Sequence, residues 1–207
     1  MSNLRTIALL ALAATALAGC QRNPLVVKRS FCPAVAVPTY AGDTTLFRPG
    51  TAPDAVNIDV VATITNVRDT CVETATTYAS DVTYDVVARR NDTAGARSLT
   101  LPVFASVVQG GNLLMSKQIS SVTISFADGQ ARATGKGGAR ANISRAAASL
   151  SPETQALINR KRKATDPDAA VDPLADPTVR AAIRAASFEV LVGFQLDERG
   201  LAYNVTK

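Results

Sequence analysis

Apolar and polar positions alternate along most of the chain, and the alternation predicts strands. Val56, Ile58, Val60, Ala62 and Ile64 interleave with Asn57, Asp59, Val61, Thr63 and Thr65, a period of two that buries one strand face and wets the other. Thr70 to Ser80 is Thr-rich and reads as a short strand plus a turn. Val82, Tyr84, Val86 and Ala88 then oppose Thr83, Asp85, Val87 and Arg89, and Asn91 to Gly95 is a turn by composition. Leu99, Leu101, Val103, Ala105 and Val107 form the next run, in which Pro102 indicates an edge strand or a bulge. After Gly110-Gly111-Asn112, a run from Leu113 closes with Val122, Ile124 and Phe126 on one face. Asp128-Gly129 is a hairpin signal, and Ala131 to Ile143 follows as a strand weakened by Gly135, Gly137 and Gly138.

The pattern then changes. Ser151-Pro152-Glu153 has the signature of a helix start, with Leu157 and Ile158 as its apolar face. Arg160-Lys161-Arg162-Lys163 would sit at its far end, where the helix dipole favours cations. Two Pro and three Asp make 165–174 a loop, and Asp176-Pro177 opens a second helix over Val179 to Ala186. Phe188, Val190, Val192, Phe194 and Leu196 then mark the clearest strand in the chain. Earlier, the Pro- and Gly-rich stretch Phe31 to Asp54 reads as an irregular extended segment with short edge pairings at most. The fold class expected is mainly β: an antiparallel β-sandwich, Ig-like or open barrel, over 55–207, with a two-helix insertion at about 151–186 before the last strand, which should lie beside an early one.

The first residues carry a different message. One cation, Arg5, precedes an apolar run from Ile7 to Ala18, the length of a signal-peptide core and too short to span a bilayer comfortably. It ends in Leu17-Ala18-Gly19-Cys20, which resembles the lipobox of bacterial lipoproteins. The resemblance implies removal of 1–19, a diacylglycerol on the Cys20 sulfur and an acylated amino group (palmitate among the chains). Residues 20–54 would then be anchor, short tether and extended segment. Two or more acyl chains hold a protein stably on a membrane where one does so only marginally. Gln21, rather than Asp, follows the Cys and favours the periplasmic face of the outer membrane as the location. In that oxidising compartment the two remaining cysteines, Cys32 and Cys71, should form a disulfide closing a loop of about 40 residues.

Composition narrows the chemistry. The 207 residues include no His and no Trp, and 22 Lys and Arg exceed 17 Asp and Glu. Without His, Ser-His-Asp and Cys-His catalysis and His-ligated metals are excluded; three Cys cannot make a four-cysteine zinc or iron–sulfur site. No S-x-x-K or G-x-S-x-G occurs, and Ser116-Lys117 point to opposite faces of a strand. Gly135-Lys136-Gly137-Gly138 lacks the spacing of a phosphate loop. Arg160, Lys161, Arg162 and Lys163 are the candidate anion site, against their reading as a solvated helix end. Asp166, Asp168 and Asp172, with Asp176, form a weak Ca²⁺ candidate lacking EF-hand spacing. Asp59, Asp85 and Glu189 are the carboxylates available to a hydrolase, though each falls on the polar side of a strand.

The reading that fits best is a non-enzymatic envelope module that binds a partner protein or envelope polymer, with no cofactor and no nucleic acid. A small hydrolase using carboxylates or a Ser/Lys pair, and a lipid or lipopolysaccharide carrier, are the alternatives. Converging carboxyls in a cleft would favour the hydrolase, an apolar cavity between sheets the carrier, and a bare sheet edge or exposed apolar patch the binding module.

Overall fold

A computed structural model describes residues 31–207. Eight strands form two four-stranded sheets packed in a sandwich-like arrangement. In sequence order they are β1 (Ala34–Ala36), β2 (Asp43–Phe47), β3 (Ile58–Glu73), β4 (Thr77–Arg90), β5 (Arg97–Gln109), β6 (Leu113–Phe126), β7 (Arg132–Ser144) and β8 (Phe188–Phe194). One sheet runs β1-β8-β5-β6 and the other β2-β3-β4-β7. All pairings are antiparallel except β1 with β8. The last strand thus lies between the first strand and β5, as its apolar pattern suggests. Helices α1 (Pro152–Asn159) and α2 (Pro177–Ala185) precede β8, and α3 (Glu198–Thr206) follows it.

The core is the sum of the alternating faces. Val60, Ala62 and Ile64 of β3 and Tyr84, Val86 and Ala88 of β4 meet Leu101 and Val103 of β5, Val122, Ile124 and Phe126 of β6, and Val190, Val192 and Phe194 of β8. Each Val, Leu, Ile or Phe among them contributes roughly 1.5–3 kcal/mol when fully buried, before conformational entropy is counted. The same alternation brings Arg90 inside: it is 2% exposed at the end of β4.

Several elements differ from the sequence pattern for identifiable reasons. The body begins before Ala55, because β1 and β2 supply the outer strands of the two sheets. Thr70 to Ser80 is not a short strand but the shared tip of the long β3–β4 hairpin. Thr74 closes that turn, its backbone N–H donating to the Thr77 carbonyl at 2.8 Å and its hydroxyl accepting from the Thr77 N–H at 3.0 Å. Beyond a bulge at Asn66 (φ 51°) the β3 side chains are mostly exposed, while Tyr78 and Val82 of the β4 arm remain in the core. Pro102 lies in a strand paired on both sides, not at an edge. Its carbonyl accepts from Gln195 N–H on the β8 side, so its donor-less nitrogen faces the place where β8 has just ended. Asp128-Gly129 does make a turn, yet β6 and β7 part into different sheets instead of pairing as a hairpin.

The glycines of β7 do not interrupt it. A Cβ on Gly135 would come within 2.8 Å of the Thr123 carbonyl, so this glycine lets β7 press against β6 where the sandwich closes. A Cβ on Gly137 would fall 2.4 Å from the Tyr84 ring, which lies across its cross-strand partner. Phe104 covers Gly193 in the same way on the other sheet. Helix α1 starts as read, with Ser151 accepting from Thr154 N–H at 3.2 Å, but it buries no side chain and Leu157 is exposed. Helix α3 has no alternating or periodic run to announce it. Asp197 caps it, and Asn204 fastens it to the sheets by donating to the carbonyls of Tyr40 and Asp43, both at 2.8 Å.

Candidate functional site

The disulfide forms as expected. Cys32 and Cys71 are bonded, 39 residues apart, and join the segment before β1 to the outer part of β3. Beside it Phe31 stacks on Tyr78, with ring centroids 5.9 Å apart, and Arg145 sits over the same Tyr78 ring. A loop of this size stabilises by about 4 kcal/mol in the chain-entropy model. Cys20 and the Leu17–Cys20 motif lie outside the described residues.

The basic run is not a helix end. Helix α1 stops at Asn159, so Arg160 to Lys163 occupy the following coil. Arg160 and Arg162 both engage Asp168, whose carboxyl they hold below the usual range, Arg160 contributing most. Lys161 and Lys163 are exposed. The run is therefore split, with half of its charge tied to one carboxylate instead of converging on an anion.

The acidic cluster does not converge either. Asp166 accepts from Lys163 N–H at 2.9 Å, Asp172 from Leu174 N–H at 2.9 Å and Asp176 from Thr178 N–H at 2.7 Å. These are turn and cap roles, and Asp168 is taken by arginines. Among the described residues no three His, Cys, Asp or Glu side chains come together as a metal site. This corrects the Ca²⁺ candidate: local backbone donors and neighbouring cations use the oxygens that a metal would need.

The hydrolase carboxylates are separated as well. Asp59 receives two hydrogen bonds from Arg97, at 2.8 and 2.7 Å, and that bond is the main cause lowering its pKa. A general acid needs the opposite shift. Asp85 accepts from Asn66 at 2.8 Å, and Glu189 is on the other sheet. The Asp59–Arg97 pair borders a cleft of about 540 Å³ between the loop after β2 and the β8–α3 connection, with Arg48 and Arg199 in its walls. Three arginines outnumber Asp59 and Asp197 in its lining, and both carboxylates are engaged, Asp59 by Arg97 and Asp197 by the Gly200 N–H.

The feature that stands out is β6. Among the described residues it pairs only with β5, which leaves its other backbone edge open there. From Leu113 to Ser121 every residue is exposed, whereas Val122, Ile124 and Phe126 are buried. Gly135 of β7 sits against Val122, Thr123 and Ile124, where β6 is buried, while Ser116 and Gln118 share only a small crevice with Arg140 and Ala141 of β7. Leu113, Leu114, Met115 and Ile119 are all more than half exposed on this segment. Lys117 lies over the Phe104 ring at 4.8 Å on the outer face. On the inner side Tyr84 bonds Ser120, and burial pushes the Tyr84 hydroxyl above its ordinary value despite that bond. Proteins normally blunt such an edge or cover it, because unpaired donors and acceptors beside apolar side chains invite another chain. The sequence marked Leu113 to Phe126 as a strand, but no local pattern distinguishes an edge from a central position. Comparison with protein-family models, curated proteins and solved structures finds no match to this chain.

Proposed function

We propose that the chain is a lipid-anchored module of the bacterial envelope, tethered through Cys20 at the periplasmic face of the outer membrane, that binds an extended segment of a partner protein along the edge of β6. The observation that carries the binding reading is the open edge from Ser116 to Ser121, with Ile119 exposed beside the Phe104–Lys117 surface. An added strand would complete hydrogen bonds that β6 leaves unmade, and its side chains would reach Ile119 and the Phe104–Lys117 surface. The lipobox at Leu17–Cys20 and the Cys32–Cys71 disulfide support an exported location, because such bonds persist in oxidising compartments. The scattered carboxylates argue for binding over hydrolysis.

The test is site-specific photocrosslinking in intact cells. A crosslinker at Ile119 should give one protein adduct that an equivalent probe at Val87, exposed on the other sheet, does not. Replacing Lys117 by Pro, which removes a backbone N–H on the open side of β6, should abolish the adduct. Equal labelling from both positions, an envelope polymer instead of a protein, or turnover of a substrate by the purified chain would overturn the reading.

A further inference from the structure

The two ends of the sandwich are chemically unlike. At one end the β5–β6 turn presents Leu113-Leu114-Met115, three consecutive large apolar residues that are 56%, 57% and 53% exposed. Helix α2 packs against the base of this prong: Gln109 donates to the Ala185 carbonyl at 2.6 Å, and a Cβ on Gly110 would meet Arg184 at 3.5 Å. Arg180 and Arg184, one helical turn apart, line a groove shared with Leu113. The prong is therefore an apolar tip with cations at its shoulder.

The chain enters the folded body at this same end. Ala34, the first residue of β1, pairs with Glu189, and Glu189 pairs in turn with Val108, one residue from the end of β5. Eleven residue steps separate Phe31 from Cys20. Such a link reaches at most about 40 Å fully extended and roughly 20 Å as a random coil. The length of β5, 13 residues, is roughly 44 Å. With Cys20 acylated as proposed, the tether joins the body at the prong end.

We infer that the Leu113–Met115 prong is a second membrane contact, inserting into the interface of an anionic bilayer with Arg180 and Arg184 on the headgroups. The orientation rests on the proposed acylation of Cys20; the binding of the prong itself does not. Apolar tips rimmed by cations bind interfaces through buried area plus attraction to anionic lipid, and both contributions have residues here. The segment Arg145–Ser187 carries seven Lys and Arg against five Asp and Glu, so the apolar tip must supply most of the binding.

The chain has no Trp, so a single Leu114→Trp reports the tip without background. The experiment uses residues 20–207 with Cys20→Ser, which removes acylation, and vesicles of phosphatidylethanolamine with phosphatidylglycerol or of phosphatidylcholine alone. Expected is a blue shift of Leu114→Trp, quenched by brominated acyl chains, on the anionic vesicles, and none for Val205→Trp in α3. The combined Leu113→Ser, Leu114→Ser and Met115→Ser variant should lose vesicle binding by about tenfold or more, and Arg180→Gln with Arg184→Gln should erase the preference for anionic lipid. Retained disulfide and unchanged circular dichroism show that these surface variants fold. No shift at position 114, an equal shift at 205, or undiminished flotation of the serine variant overturns the inference. Because no acyl group is present, those results leave the Cys20 reading to its own test.

Discussion

Replacing Arg90 by Met should be among the most damaging single changes in the sandwich. The guanidinium is 2% exposed and donates to four carbonyls: Gln130 and Thr93 at 2.8 Å, Gly95 and Ala127 at 2.9 Å. It also lies 5.1 Å from the centre of the Phe126 ring. These carbonyls belong to the β4–β5 and β6–β7 turns, so one side chain joins two turns that cross between the sheets. Two effects oppose each other. Removing a buried charge relieves its desolvation, while the Gln130 and Gly95 carbonyls lose their donor, at about 1–3 kcal/mol for each one that water cannot reach, and Thr93 and Ala127 keep the N–H groups of Gly129 and Gln130. Both turns lie at the surface, so water recovers part of this, and the net cost is about 3–5 kcal/mol, the range for breaking a buried charged network. For a body of this size that lowers the melting temperature by roughly 10 °C. Arg90→Lys, which keeps the charge but reaches fewer carbonyls, should fall between. Non-reducing urea and thermal unfolding measure both. A cost below about 1 kcal/mol for Arg90→Met, or equal stability of the Met and Lys variants, would refute the reasoning.

Gly137→Ala should cost about 1–3 kcal/mol by overpacking against Tyr84, and the cost should shrink when Tyr84 is also Leu, a coupling that a double-mutant cycle reads directly. Joint replacement of Cys32 and Cys71 by Ala should remove about 4 kcal/mol and make urea unfolding insensitive to reductant. Asp59 has a folded pKa below its unfolded value, so its pairing with Arg97 stabilises above about pH 4 and is lost as pH falls through the folded pKa. Asp59→Asn should therefore be less stable than the parent at neutral pH and converge with it in acid; a constant difference across that range would contradict the pairing.

Where one face is buried, period two carried the fold: Tyr84, Val86 and Ala88 of β4 point inward as the pattern requires. The insertion was legible through Ser151 and Asp176, whose caps form locally. What sequence order could not convey depends on partners distant along the chain. The β6 edge exists because β7 joined the other sheet, and Asp128-Gly129 reads the same whether the flanking strands pair or part. Arg90 looks like any strand-end cation until two turns close over it. At 160–163 and 166–176 the partners are local but not patterned: Arg160 and Arg162 meet Asp168, while Asp166 and Asp172 accept from backbone N–H groups of the same loop.

Cys20 carries the central claim, that acyl chains on one sulfur hold this sandwich against a bilayer with its prong end inward. Cells expressing the chain or its Cys20→Ser variant are grown with labelled palmitate and fractionated. The account predicts label on the parent alone, and a move of the variant from the tightly membrane-held fraction to one released by salt and dilution, because the prong by itself binds reversibly. Unlabelled parent protein, or a variant held as firmly as the parent, would contradict it.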